Sequence, residues 1–153
     1  MEKLGSLRLE DQICFPLYAC SREIIKAYRP HLDRLGLTYT QYITMAVLWE
    51  AKQVSVKELG KKLHLDSGTL TPLLKKLERK GYLKRERSRQ DERVVIVCIT
   101  EDGQKLKQQA EGVPQAMLAQ MSAFSQSDAK ELYRLLYQLM DFLEKLNGDE
   151  SQK

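Results

Sequence analysis

The sequence contains few of the residues that build metal centres or covalently cross-linked folds. Its 153 residues include three cysteines and two histidines. The cysteines, Cys14, Cys20 and Cys98, are odd in number and lack the short spacing of metal ligands. Neither a disulfide scaffold nor a zinc site is therefore indicated, no cofactor is expected, and the three thiols are predicted to be reduced.

Long hydrophobic runs, internal repeats and low-complexity segments are also lacking. No stretch approaches the roughly 20 apolar residues that cross a membrane, so no membrane partner is expected. The N-terminus shows no basic region followed by an apolar stretch and a cleavage site, and we expect a cytoplasmic protein. With 42% hydrophobic residues, the chain can bury a core, and we predict a single domain over residues 1–153.

What the sequence does contain is a segment, residues 65–79, with the features of a DNA-reading helix. Its apolar residues repeat at i, i+3, i+4 and i+7, which places on one face Leu70, Leu73, Leu74 and Leu77. Asp66, Ser67 and Thr69 are N-cap residue types, and the free N–H groups of a helix start can bind a phosphate. Pro72 favours a start near Thr69, because proline costs little in a first turn.

The residues around this helix complete a larger unit. Ser55 and Glu58 have the capping-box spacing and predict a preceding helix with Val56, Leu59 and Leu63 on one side, followed by a turn at 64–66. After Gly81, a period of two residues at 83–87 and 93–100 predicts two strands joined by a loop at 88–92. The fold class is therefore mainly α with a small β-hairpin (α+β), a winged helix-turn-helix.

Positive charge is concentrated in this unit. Residues 55–93 contain twelve Lys or Arg and six Asp or Glu, a net charge of +6, whereas the whole chain has +4. The remainder is consequently acidic. A basic surface on a helix-turn-helix with a hairpin is typical of a double-stranded DNA partner rather than of a solvated charged face.

Both ends of the chain predict apolar helices. Near the C-terminus helical spacing links Leu132, Leu135, Leu136, Leu139, Leu143 and Leu146, with Asn147-Gly148 as a stop. Another helix opens at Thr100, and Gly112-Val113-Pro114 is expected to bend it. These helices could pack within one subunit, but a homodimer is favoured because it can place two reading helices one DNA turn apart, about 34 Å.

Several stretches in order resemble the MarR family of winged-helix repressors, of the OhrR/SarZ/MgrA type. They are Leu9-Glu10-Asp11-Gln12-Ile13-Cys14-Phe15, Leu37-Thr38-Tyr39-Thr40-Gln41-Tyr42, Leu65 to Pro72, and Asp91-Glu92-Arg93. The resemblance covers nearly the whole chain. It implies a dimer whose N- and C-terminal helices, 9–35 and 101–147, interlock. It also implies a DNA-binding part over 38–100, with the recognition helix in a major groove and the wing at a minor groove of a palindromic operator.

The resemblance also implies roles for single residues in DNA binding. Arg93 would reach the minor groove, Asp91 would support the wing, and Ser67, Thr69 and Thr71 match the start of the recognition helix. Together with the basic residues of this segment, the predicted DNA-binding residues are Asp66, Ser67, Thr69, Thr71, Lys75, Lys76, Arg79, Arg85, Arg87, Arg89 and Arg93.

The same resemblance makes Cys14 a sensor of organic hydroperoxides or related oxidants, whose oxidation releases the operator. Tyr28 and Tyr39 match tyrosines that hydrogen-bond the sensor sulfur across the dimer, and Tyr18 matches a nearby ring. A thiolate reacts faster than a thiol, and phenolic donors or a helix N-terminus favour the thiolate, so sulfenic acid would form selectively at such a site.

The sequence leaves open which thiol reacts with the oxidised Cys14. Cys20 lies six residues along a helix, about 9 Å and 240° away, out of disulfide range within one subunit. An intersubunit bond to Cys20 stays open. Cys98 is interpreted as a packed thiol, and a low-molecular-weight thiol could cap Cys14 instead. Pro16 departs from the family pattern and predicts a later start or a kink in the first helix.

Three other interpretations remain. A MarR-type repressor could instead respond to a small phenolic ligand in an apolar cleft. A thiol peroxidase would use Cys14 as a nucleophile that turns over, although no histidine or second thiol completes such an arrangement. A DNA-coating protein without a signal would bind all sequences equally.

Overall fold

A computed structural model of the chain describes residues 6–150. After a single 3-10 turn at Leu9–Asp11, the helices are α1 (Cys14–Asp33), α2 (Tyr39–Ala51), α3 (Val56–Leu63), α4 (Ser67–Arg79), α5 (Glu101–Ala110), α6 (Val113–Gln120) and α7 (Gln126–Glu150). The strands are β1 (Gln53–Ser55), β2 (Leu83–Arg87) and β3 (Val95–Ile99). This element order confirms the predicted fold class, a mainly helical winged helix-turn-helix.

Side-chain caps explain where the central helices begin. The Thr38 side chain accepts the backbone N–H of Gln41, whose own side chain accepts the N–H of Thr38, and Ser55 and Glu58 form the same reciprocal box. Each box satisfies two backbone donors that a helix start leaves free. The predicted capping box at Ser55 is therefore confirmed, and α2 starts by the same device.

The recognition helix α4 begins earlier than predicted. Asp66 is its N-cap, so the helix starts at Ser67 rather than near Thr69. The reason is the Asp66 carboxylate, which accepts both the backbone N–H of Thr69 at 2.8 Å and its hydroxyl at 3.0 Å. Pro72 is consequently the sixth helical residue, where its missing N–H leaves only the Gly68 carbonyl without its usual helical partner.

The wing is a three-stranded antiparallel sheet in the order β1-β3-β2. In register, Val54 faces Val97 and Arg85 faces Val97 from the other side. The second wing strand is shorter than the predicted 93–100, because the Val94 N–H bonds the Asp91 carbonyl at 2.9 Å within the tip. Strand β1 was not predicted, since its three residues are too few to show a period.

One expectation about helix ends was wrong, one was confirmed, and the expected effect of Pro16 stays a prediction. Helix α1 begins at Cys14, so Pro16 lies in its first turn, where its missing N–H would have no helical partner. Helix α7 continues through Asn147-Gly148 to Glu150, so that pair does not stop it. The expected break near Gly112 separates α5 from α6.

Intrachain contacts cluster into two units, with the boundary between Gln115 and Ala116. The first unit holds a core contributed by α1 to α5, the α1–α2 connection, the first residue of α6 and the sheet. It comprises Leu32, Leu35, Leu37, Tyr42, Met45, Leu48, Trp49, Val54, Leu59, Leu70, Leu73, Leu74, Leu77, Leu83, Val97, Leu106, Ala110 and Val113. All four leucines of the predicted α4 stripe are in it. The second unit contains α7. The predicted division into 9–35, 38–100 and 101–147 stays a prediction.

Over residues 6–150, none of the helices combines the length and apolar character that crossing a bilayer requires. In the same range, no three His, Cys, Asp or Glu side chains come together as a metal site.

Candidate DNA-binding surface and thiol site

The start of α4 presents hydroxyls on an exposed surface. Ser67, Thr69 and Thr71 are all exposed in the first turn and a half. Asp66 is exposed too, but its carboxylate is occupied by Thr69, and these hydrogen bonds lower the pKa of the carboxyl. We therefore assign Asp66 to holding the helix start, which leaves Ser67 and Thr71 as the residues free to approach base edges or phosphates.

The cations of α4 lie away from its buried stripe. Lys75, Lys76 and Arg79 are exposed, whereas the neighbouring Leu73, Leu74 and Leu77 are buried. The helix therefore packs on the core with one face and presents positive charge on the other, as the sequence predicts.

Arg85 joins the recognition helix to the wing. Its guanidinium donates to the Glu78 carboxylate through Nη2 at 2.7 Å and Nε at 3.1 Å, and its backbone N–H donates to the second carboxylate oxygen at 3.0 Å. These charge-assisted hydrogen bonds, those of the guanidinium first, lower the pKa of Glu78. Because the Arg85 guanidinium is bonded to Glu78, this contact sets the angle between α4 and β2. DNA contact by Arg85 stays a prediction.

Replacing Glu78 by glutamine should lower the free energy of unfolding by about 1 kcal/mol at pH 7, since solvent screens a pair that is one-third exposed. The folded-state pKa of Glu78 lies below the ordinary value of 4.5, so the stabilisation is full above that value. It is lost as pH falls through the folded-state pKa. Urea denaturation between pH 3 and pH 7 should therefore show the two proteins converging at the acid end.

The matched control is Glu86→Gln, which breaks the more exposed Lys84–Glu86 pair. It should change stability by clearly less than Glu78→Gln does, because solvent screens this pair more completely. Equal effects of the two substitutions at pH 7 would show that the α4–wing contact adds nothing beyond an ordinary surface pair.

The wing tip is held by its own residues and carries exposed arginines. The Asp91 carboxylate accepts the backbone N–H of Arg93 at 3.0 Å, and Arg87 donates to the Glu92 carbonyl at 2.6 Å. The Arg93 side chain is 95% exposed, and Arg89 is exposed as well. The tip therefore projects Arg89 and Arg93, whereas Asp91 and Arg87 shape the turn beneath them.

Cys14 is the first residue of α1, and its side chain is exposed. Tyr18 follows one turn later, also exposed, with the Arg22 guanidinium 5.7 Å from its ring centroid. Tyr28 is in the same helix, fourteen residues from Cys14, which corresponds to about 21 Å along the axis. Within one protomer the Cys14 sulfur therefore cannot reach Tyr28.

Tyr28 belongs to a compact tyrosine cluster formed with Tyr39 and Tyr42. The Tyr28 ring centroid lies 4.9 Å from that of Tyr39 and 5.9 Å from that of Tyr42. Burial raises the pKa of all three phenols, and for Tyr28 the neighbouring phenols raise it further. Each phenol is consequently protonated at neutral pH and can donate a hydrogen bond.

The other two thiols lie in different surroundings. Cys20 is exposed on α1, and Cys98 is half-buried in β3, 3.9 Å from the Gln53 side-chain oxygen. Burial raises the pKa of the Cys98 thiol, so it is less reactive than an ordinary thiol at neutral pH. This agrees with its interpretation as a packed residue.

Comparison with known proteins places this geometry in a family. The model of the family "Transcriptional regulator SarA/Rot" matches residues 26–110. The organic hydroperoxide resistance transcriptional regulator of Bacillus subtilis strain 168 is 46% identical over 145 residues, which are 95% of this chain and 98% of that relative. The chain belongs to the MarR-type winged-helix family of transcriptional regulators.

Solved structures agree with this assignment. Reduced AbfR bound to DNA is 37% identical to this MarR-type regulator, with a TM-score of 0.74 over 92% of this chain and 95% of that one. Overoxidised AbfR bound to DNA is also 37% identical, with a TM-score of 0.70 over 90% and 96% of the two chains. AbfR is a protein of Staphylococcus epidermidis.

Two contacts that join parts of the regulator were not predicted from the sequence, namely Glu78 with Arg85 and Tyr42 with Trp49. Glu78 and Arg85 are seven residues apart on two elements of different period, so no pattern links them. Tyr42 and Trp49 are both buried in the structure, and their ring contact at 6.1 Å carries no sequence signal. The spacing of Tyr42 from Tyr39 in one helix could have placed both on a single face.

Proposed function

We propose that the regulator is a homodimeric repressor that binds palindromic operator DNA and releases it when Cys14 is oxidised by organic hydroperoxide. The observation that carries this proposal is the placement of an exposed Cys14 at the start of the helix that holds Tyr28. The family relationship supports it, since a relative 46% identical is a regulator of organic hydroperoxide resistance. Because its proposed partner is operator DNA, the proposal includes a cytoplasmic location.

A second copy is needed to complete the thiol site. Tyr28 is about 21 Å along α1 from Cys14 of its own chain. The Tyr39 ring packs against Tyr28 at 4.9 Å, so a hydrogen bond from either phenol to a Cys14 sulfur has to join two protomers. The apolar surface fits such a dimer, because many large side chains of α1 and α7 are exposed, including Phe15, Leu17, Ile24, Ile25, Leu132, Leu135, Leu136, Met140, Phe142, Leu143 and Leu146. We assign 9–35 and 101–147 to dimerisation and 38–100 to DNA binding.

The chemistry proceeds in two steps. The Cys14 thiolate attacks the terminal oxygen of the hydroperoxide, the O–O bond breaks, and a proton completes the alcohol that leaves, so sulfur becomes sulfenic acid. A low-molecular-weight thiol then displaces water from the sulfenic acid and forms a mixed disulfide. In a dimer that packs Cys14 near the partner's phenols, either product adds bulk and removes the negative charge that those phenols bind.

DNA contact in this proposal comes from α4 and the wing tip. Ser67 and Thr71 face base edges and phosphates, and Thr69 lies at the same helix start with its hydroxyl held by Asp66. Lys75, Lys76 and Arg79 face phosphates, and Arg89 and Arg93 approach the minor groove. Asp66, Asp91, Arg85 and Arg87 position these residues through the contacts described above.

The decisive measurement is operator binding by fluorescence anisotropy before and after one equivalent of cumene hydroperoxide. Wild type should lose at least about tenfold in affinity, a coupling of ordinary allosteric size, and Cys14→Ser should lose none. Cys20→Ser, which removes an exposed thiol from the same helix, is the matched control and should respond like wild type. One equivalent is chosen because an overoxidised relative has been solved on DNA.

If wild type and Cys14→Ser both stay bound, the thiol switch is wrong, and phenolic ligands become the next test. Peroxide consumption decides the enzymatic alternative. A sensor consumes about one peroxide per subunit, whereas sustained thiol-dependent consumption would show a peroxidase.

A further inference from the structure

A chain of ring contacts leads from the tyrosine cluster to Trp49 within the unit that ends at Gln115. Tyr28 lies 5.9 Å from Tyr42, and Tyr42 meets Trp49 edge-on at 6.1 Å. Tyr42 and Trp49 are 9% and 8% exposed. Because close-packed interiors have little free volume, a displacement of Tyr28 has to be taken up by these two rings.

Trp49 is bonded in turn to the start of α5. Its indole Nε1–H donates to the Gly103 carbonyl at 2.8 Å. Two further hydrogen bonds lie beside it: the Lys52 ammonium donates to the Gln104 side-chain oxygen at 2.6 Å, and the Ile99 N–H donates to the Lys52 carbonyl at 2.9 Å. We call these three bonds the α2–α5 junction.

Backbone strain occurs at the same place. Lys52 has φ 64° and ψ −42°, a conformation that a residue with a side chain rarely adopts. Such a conformation is unfavourable and persists only where surrounding contacts enforce it. The junction supplies those contacts, since both the carbonyl and the ammonium of Lys52 are bonded across it.

On its other side, the start of α5 is bonded to the turn between the recognition helix and the wing. Thr100 donates its N–H to the Tyr82 carbonyl at 3.1 Å and its hydroxyl to the Gly81 carbonyl at 2.5 Å. Gly103 lies so close to Tyr82 that an added Cβ would be 2.0 Å from its carbonyl oxygen. A shift of α5 therefore moves the end of α4 and the start of β2 together.

From this continuity we propose that Trp49 is the positioning residue through which the tyrosine cluster sets the orientation of the recognition helix and wing. The proposal rests on the proposed function and adds the route by which the thiol site affects DNA. Reduced Cys14 holds the cluster in one packing, and the Trp49–Gly103 bond fixes the base of the wing to it. Oxidation changes the packing, and the junction carries the change.

The first test is Trp49→Phe, which keeps an aromatic ring and removes the N–H donor. Reduced Trp49→Phe should bind operator within about threefold of wild type, but the loss of affinity on oxidation should be at least about fivefold smaller. Gln104→Met, which removes the neighbouring exposed bond, is the matched control and should keep the full oxidation response. A full response in folded Trp49→Phe would overturn the proposal.

A second test does not depend on oxidation, so it separates this proposal from the proposed function. Hydrogen exchange of the Ile99 and Thr100 amides reports opening of the wing base. Tyr42→Leu should accelerate their exchange about tenfold in wild type and less than about threefold in the Trp49→Phe background. Exchange of α3 amides corrects for global destabilisation.

Equal acceleration in both backgrounds would show that the cluster does not act through Trp49. If wild type fails to respond to oxidant but the exchange results are as expected, the thiol switch is wrong and the mechanical link stands. If either variant does not fold, the fluorescence of the single tryptophan of the wild-type chain, which is Trp49, tests the proposal instead. Its emission should change on stoichiometric oxidation but not in Cys14→Ser, and operator release with unchanged emission would overturn the link.

Discussion

Gly103→Ala is expected to destabilise the regulator by about 3 kcal/mol or more, because the new methyl group has no room. A Cβ at this position would lie 2.0 Å from the Tyr82 carbonyl oxygen and 2.9 Å from a side-chain carbon of Ile99. The oxygen belongs to the backbone and also accepts the Thr100 N–H, so it cannot move without breaking that bond. Alanine's better helix propensity offsets only about 1 kcal/mol.

The measurement is thermal unfolding by circular dichroism at one fixed protein concentration, since a dimer's melting temperature depends on concentration. For a chain of this length about 3 kcal/mol corresponds to a decrease of roughly 6–12 °C. Gly112→Ala is the control, because a Cβ there meets nothing within 4 Å. It should leave the melting temperature unchanged or raise it slightly. A melting temperature of Gly103→Ala equal to that of wild type would contradict the close approach of α5 to the wing base.

The parts that could be predicted from sequence are those that local rules determine. The α4 stripe follows from the helical period, and the Ser55 capping box and the loop at 88–92 follow from residue types at fixed spacing. The start of α4 was missed by two residues, because Pro72 was weighed above the capping carboxylate of Asp66. The two hydrogen bonds that the Asp66 carboxylate accepts from the N–H and the hydroxyl of Thr69 stabilise the earlier start more than the missing N–H of Pro72 destabilises it.

The parts that could not be predicted depend on contacts between distant residues. Trp49 and Gly103 are fifty-four residues apart, and neither shows a pattern that points to the other. The three residues of β1 form a strand only because β3 pairs with them. The thiol site is a further case. The α1 helix separates Cys14 from Tyr28, so their relationship came from family resemblance and requires a partner protomer.

Operator affinity is expected to fall by about 10³-fold or more when the salt concentration rises from 50 to 200 mM. Five cations of each protomer are exposed on the proposed surface, namely Lys75, Lys76, Arg79, Arg89 and Arg93. A dimer therefore offers ten, and six or more phosphate contacts give a slope of log affinity against log salt of about −5 or steeper. Anisotropy titrations at four or more salt concentrations measure this slope.

Single substitutions then identify which cations contribute. Lys76→Gln should reduce the magnitude of the slope by about 1.8, since each dimer loses two phosphate contacts. Arg134→Gln removes the same charge from α7, where the guanidinium pairs with Glu131 at 2.5 Å, and should leave the slope unchanged. If the basic surface that contacts DNA is confined to α4 and the wing, the salt slopes of these two variants have to differ in this way. Equal slopes for the two variants would mean that Lys76 does not contact phosphate. A wild-type slope shallower than about −2 would mean that the exposed cations of α4 and the wing tip are not the DNA-binding surface.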